Sequence, residues 1–376
     1  MALPEDRRID ESKFPAQFQR VVAPDAPPQM KIMAARGLLP MPPVVQICVL
    51  YQLQLTGDEE VRQLSTDTVR RMPPATLQQV CGEPLAPVVL DWLAELALGD
   101  QALLRKVLLN PRTDGDTFLR VARLGDENTT EMIALNQARL LSTPGLIQAL
   151  YLNRNTRAST ADRVVDFGVR SHLDLSDLPC YEEIVAAIMG STPLTPEQAA
   201  AADAAFREAA KVAALEPEDE GELPDDVPVD GVEEPVETER SRSTSGRIAL
   251  LNVAQRVRLA MLGSRGDRQV LIKDSNKIVM RAVIRSPGVN DSEAMMYAGI
   301  KSLPDEVVTF IAHNKKWTRH YQMKKLLIFN PKTPMGEALR FLTFMRPGDL
   351  KSIASSRALP QSVAKAASQM LKSRMR

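Results

Sequence analysis

The chain has 376 residues, 44% of them hydrophobic, 25% charged and only 4% aromatic, and its 47 basic and 47 acidic side chains cancel. This composition excludes a collagen, a disulfide scaffold and a fully disordered chain, and the length suits two or three domains. The balance holds only in total: residues 1–215 carry a net −6, residues 216–239 hold 12 acids and no base, and residues 240–376 set 26 Lys and Arg against 8 Asp and Glu.

In chain order, MALPEDRRID carries acids and a proline and leads into no apolar core, so it does not read as a secretory signal. Residues 1–30 are polar, with PDAPP at 24–28, and predict a flexible N-terminal segment. From there to 215, short apolar runs alternate with breaks rich in Pro, Gly, Asn, Asp, Ser and Thr. Ala, Leu, Met and Gln dominate the runs and favour helix. Leu103, Val107 and Leu108 keep helical spacing, as do Phe118, Val121 and Ala122. Thr195-Pro-Glu-Gln198 spells a capping box with proline at the first helical position. It predicts a helix over 196–215 with Ala202, Ala205, Phe206 and Ala209 on one face, stopped by Pro217 and suited to cap an N-terminal array.

Residues 216–245 predict a disordered linker, acidic first and then Ser/Arg-rich. The acidic run contains four prolines and no aromatic residue, too little apolar surface to offset its ordering entropy. The following RSRSTSGR offers Ser241, Ser243, Thr244 and Ser245 as sites where phosphorylation would add negative charge.

The breaks repeat. Asn110-Pro-Arg-Thr and Asn330-Pro-Lys-Thr each lead into a new amphipathic run, and Asn155-Thr-Arg-Ala is a weaker copy. Asn110 and Asn155 are 45 residues apart, and Ser286 and Asn330 are 44 apart. A period near 40–47 belongs to helical-repeat solenoids, in which each unit buries its apolar face against the next. The expected fold is all-α: two α-solenoid arrays of HEAT-like helical repeats, over 31–215 and 246–376, joined by the acidic linker.

The text of 263–376 is similar to a bacterial helical-repeat family. GSRGDRQVLIKDSNKIVMRAVIRSPGV, AHNKKWTRHYQMKKLLIFNPKTP and DLKSIASSRALP carry its LIRDSNKLV, AVIRSP, W-x-x-x-Y and NPKTP signatures. That family resembles the leucine-rich repeat variant and HEAT-like α-solenoids. The resemblance covers about the last third of the chain, from about 247 to 376. It implies an α-solenoid and carries over no enzymatic activity.

Residues suited to chemistry are sparse. Cys48, Cys81 and Cys180 are odd in number and far apart, and read as buried thiols of a reducing, cytoplasmic setting. No run approaches the roughly 18 apolar residues that span a bilayer. His313 and His320 sit among Lys and Arg, a poor setting for a metal. Gly263-Ser-Arg-Gly266 lacks the Lys-Ser/Thr of a phosphate loop and reads as a helix–helix turn, and no serine stands in a nucleophile elbow. Asp305–Glu306 follows Pro304, where acids suit a helix start. The expectation is a protein that is not an enzyme and uses no metal or cofactor.

The basic array stands out. Lys315, Lys316, Arg319, Lys324 and Lys325 surround Trp317 and Tyr321, which at i,i+4 would share one helix face. The two aromatics fit a core role or a platform in a basic groove. Arg281 and Arg285, with Lys273, Lys277 and Arg340, would extend such a groove. The partner expected for Lys315, Lys316, Trp317, Arg319, Tyr321, Lys324, Lys325, Arg281 and Arg285 is an acidic protein surface. The function expected is then a protein-binding scaffold or adaptor, regulatory in character. The alternative is nucleic acid, bound through phosphate charge, with the acidic linker as autoinhibitor.

Overall fold

The computed structural model describes residues 7–190, 195–215, 239–357 and 359–374. Among them are twenty-five α-helices and no strand, so the protein is all-α. Proline and short polar caps set most helix starts. The pairs Pro27–Pro28, Pro42–Pro43 and Pro73–Pro74 each open a helix, since a proline at the first helical position gives up no needed donor. Elsewhere the side chain of Asp58, Asp100, Asp114, Asp126, Asn252 or Asn290 accepts a first-turn N–H. The Thr195 capping box forms as expected, and Ala202, Ala205, Phe206 and Ala209 are the buried face of helix Pro196–Leu215.

The helices fall into two compact units that divide between Thr156 and Arg157. In the first, the N-terminal segment expected to be flexible is ordered from residue 7 onward. Phe14, Val21 and Val22 pack with Ala34, Ala35, Val49, Leu53 and Val61. The Arg7 guanidinium lies 2.6 Å from Asp91, which Arg120 and Thr117 also reach, at 2.6 and 2.9 Å. Tyr51 Oη donates to the Arg7 carbonyl and Ile9 N–H to Gln52 Oε1. The polar text concealed this, because three apolar side chains, Phe18, Val21 and Val22, suffice to anchor helix Ala16–Val22 and the PDAPP prolines start a helix rather than prevent one.

The division at Thr156 also differs from the expected arrays over 31–215 and 246–376. Helices Ala158–Arg170, Tyr181–Met189 and Pro196–Leu215 pack with Val253–Leu262, and Tyr181–Met189 also with Lys277–Arg285. Ser159 donates to Asp203 from N–H and Oγ, at 3.1 and 2.9 Å. The buried Arg258 guanidinium stacks 4.4 Å over the Phe206 ring. Helix Pro196–Leu215 therefore belongs with the C-terminal helices. Of the expected linker, 216–238 lies outside the described residues. Its Ser/Arg-rich end is not a disordered segment but part of helix Glu239–Ala249, with Thr244 and Ile248 buried one turn apart. Arg247 reaches Asp267 at 3.3 Å.

The recurring Asn turns have one geometry. Asn110, Asn153 and Asn330 are buried, and each Nδ2 donates to two carbonyls at the end of a helix about thirty residues earlier. The acceptors are Cys81 and Glu83, Ala122 and Gly125, and Ala298 and Ile300. Each Oδ1 accepts the N–H two residues on, closing the turn. The third copy therefore starts at Asn153, not at Asn155. Ser286 lacks the amide, and beside its turn Arg268 Nη1 donates to the Gly263 carbonyl at 2.9 Å, passing against Gly288, where a β-carbon would lie 3.1 Å from it. Loss of two buried bonds makes Asn153→Ala destabilising by about 2 kcal/mol. Urea unfolding checks this, and a larger loss from Asn155→Ala would overturn the register.

Candidate interaction surface

The basic array lies on several helices rather than one. Lys315–Thr318 is a single turn capped by Asn314, and a new helix starts at Tyr321. Trp317 and Tyr321 thus stand on different helices, a correction to the shared face that their spacing suggested. Trp317 is buried, its ring 6.1 Å edge-on from Phe310, and serves the core. Tyr321 is half-buried, its hydroxyl donating to Asp349, with the Arg346 guanidinium 5.0 Å over its ring.

Most of the predicted cations already have carboxylate partners. Arg281 and Arg285, one turn apart on helix Lys277–Arg285, each place a guanidinium nitrogen 3.0 Å from Oε1 of the buried Glu183, with Glu182 outside it. Cys180, in left-handed backbone at φ 58°, leads into the helix carrying both acids. Asp291 collects Arg319 at 3.2 Å, His320 at 2.9 Å and Lys316 at 3.9 Å. Lys325 lies 2.9 Å from Asp349. Of the extending residues, Lys277 faces Glu306 and Arg340 faces Glu337. Lys324 instead places its ammonium 4.7 Å over the Phe344 ring, and Lys315 is exposed with no ion-pair partner among the described residues.

A wider pattern emerges from these pairs. All eight acids of 240–376 are engaged: Asp267 with Arg247, Asp274 with Arg256, Glu293 with Arg268, Asp305 with Lys332, and Asp291, Glu306, Glu337 and Asp349 as above. Lys301, Lys315, Lys351, Arg357, Lys365 and Lys372 are exposed and unmatched by any acid among the described residues. Arg281, Lys325 and Lys351 occupy the fifth position of three nine-residue helices, Lys277–Arg285, Tyr321–Phe329 and Pro347–Ser355.

Phe344, Arg346 and Arg374 escaped the reading of the sequence. Phe341 and Phe344 are three apart in one apolar run and look alike as core residues. Helix Met335–Leu342 ends between them, so Phe341 is buried and Phe344 is exposed.

Among the described residues no group of His, Cys, Asp and Glu is placed to hold a metal, and no helix is long and apolar enough to cross a membrane. The thiols are free, and burial pushes Cys48 up to about 11 and Cys81 to about 12, far from the reactive thiolate range. Comparison with protein-family models, with curated proteins and with solved structures gives no match for this chain.

Proposed function

We propose that the protein is a non-enzymatic scaffold or adaptor, a helical-repeat array of the α-solenoid type whose basic C-terminal surface binds an acidic protein partner. The observation that carries this reading is the charge ledger of 240–376. Its eight acids are spent on internal pairs, and the exposed lysines and arginines are left to face solvent. Such a surface raises the local concentration of an anionic partner and speeds encounter. The repeated Asn turn supports a modular array, since each copy ties one turn to the helix end of the preceding unit.

Acidic polypeptide suits the surface better than nucleic acid. Carboxylates such as Asp291, Asp305 and Glu306 break the cations into separate patches, which an irregularly charged polypeptide can match and an evenly spaced phosphate backbone cannot. The test titrates the full chain against labelled polyglutamate and labelled oligothymidylate over a salt series. Polyglutamate is expected to bind at low salt, with oligothymidylate at least tenfold weaker. Binding confined to oligothymidylate, with a steep salt slope, would overturn the reading.

A further inference from the structure

The exposed large apolar side chains include one whose turn is pinned by hydrogen bonds and whose ring carries a lysine ammonium. Phe344, 57% exposed, projects from the turn between helices Met335–Leu342 and Pro347–Ser355. Its N–H donates to the Phe341 carbonyl at 3.0 Å. The Arg374 guanidinium donates to the carbonyls on both sides of it, Thr343 and Met345, the latter at 2.6 Å. Arg346 N–H donates to Tyr321 Oη at 2.9 Å, and Met345 is buried beneath. Hydrogen bonds on both flanks hold the backbone beneath the ring, which lowers the ordering cost that a partner meets.

Cations stand on and beside the turn. Lys324 lies 4.7 Å over the ring, and Arg346 stacks on Tyr321. Arg340 stands close enough to Lys324 to add to burial in holding its ammonium below the usual lysine range. The nearby acids, Glu337 and Asp349, are largely covered and already bound to Arg340 and Lys325, at 2.5 and 2.9 Å.

We infer that the Phe344 turn, with Lys324, Arg340 and Arg346, is the recognition point for an acidic segment of a partner protein that carries an aromatic side chain. An aromatic anchor inside a cationic rim is the composition of an interface hot spot. A partner carboxylate pairs with Lys324, which has no ion-pair partner among the described residues, and an incoming ring packs on the part of Phe344 that Lys324 leaves open. A single ring offers no succession of platforms for stacked bases, which argues against single-stranded nucleic acid. The inference rests on the proposed function and names the place where the acidic partner docks.

The experiment measures anisotropy of a fluorescein-labelled polyglutamate peptide with a central tryptophan, added to the full chain at low salt. Phe344→Ala and Lys324→Glu are expected to weaken binding about tenfold or more. Arg374→Ala, which frees the turn without touching the ligand, should weaken it severalfold, and Lys301→Glu, the charge control, less than twofold. Circular dichroism and urea midpoints confirm that the variants fold, and the conservative Phe344→Tyr supplies a second, fold-neutral variant that should retain binding. If the parent binds and Phe344→Ala and Lys324→Glu bind equally well, the inference falls while the proposed function stands. If the parent fails to bind the peptide, both fall. Tighter binding of oligothymidylate that is lost in Phe344→Ala would reassign the turn to nucleic acid and overturn the inference.

Discussion

Replacing Glu293 by alanine is expected to destabilise the protein by roughly 3–5 kcal/mol, the range for removing one member of a buried ion pair. Glu293 is fully buried and holds Arg268 through two contacts, Oε1 with Nε at 3.2 Å and Oε2 with Nη2 at 3.0 Å. The same carboxylate accepts the Asn290 N–H in a capping box and lies 3.4 Å from Tyr297 Oη. Alanine leaves the guanidinium buried without its counter-charge and removes the reciprocal half of the capping box, while the Asn290 side chain still caps helix Asp291–Gly299. The double variant Arg268→Met/Glu293→Leu removes both charges and should recover much of the loss, because the penalty comes from the charge left behind. Urea unfolding of both variants checks this. A double variant no more stable than Glu293→Ala would show that the cap and the Arg268–Gly263 bond, rather than the lone charge, dominate.

Asp162→Asn is expected to stabilise the protein strongly at pH 8, less at pH 5, and to leave it nearly unchanged only below about pH 4. The Asp162 carboxyl lies among helices Ala158–Arg170, Pro196–Leu215 and Val253–Leu262, and its Oδ1 is enclosed without a hydrogen bond. Burial pushes its pKa up to about 7, Asp203 pushes the same way, and Arg258 and Asn252 pull against them. The folded value exceeds the unfolded one, so the folded state holds the proton more tightly. The contribution is full below about pH 4 and is lost as pH rises through about 7. Three pKa units correspond to about 4 kcal/mol between those limits. The asparagine variant cannot ionise, so its unfolding free energy should fall less than the parent's from pH 5 to pH 8. Parallel pH profiles for the two proteins would sink the assignment.

Much of the helical text was legible. The Thr195 capping box, the Ala202–Phe206–Ala209 face and the helix starting at Asp305 all follow from local rules that act within one or two turns. What local rules do not carry is pairing across the fold. Arg281 and Arg285 look like a free basic pair in the sequence, yet their partner Glu183 lies about a hundred residues away. Asn155 resembles the start of a turn because the spacing to Asn110 fits the period. Asn153 takes that place because its amide reaches the carbonyls of Ala122 and Gly125. Ser241–Ser245 reads as linker because polar composition masks Thr244 and Ile248, which bury one edge of an otherwise solvated helix. At the candidate surface, the cations were visible in the sequence but their consumption by eight acids was not, and Phe344 became distinct only once the helix ended at Leu342.

The Asn turns have a consequence for synthesis on the ribosome. The ties from Asn110, Asn153 and Asn330 span 29, 31 and 32 residues to their first carbonyls. Each can therefore close soon after its asparagine leaves the exit tunnel, without waiting for the far end of the chain, and loop closure over so short a span is cheap and fast. At synthesis rates of about 5–20 residues per second, the Asn153 tie follows the Asn110 tie within several seconds, and the Asn330 tie comes roughly ten to thirty-five seconds after that. Both ties of the first unit can thus close while most of the second unit has still to be made.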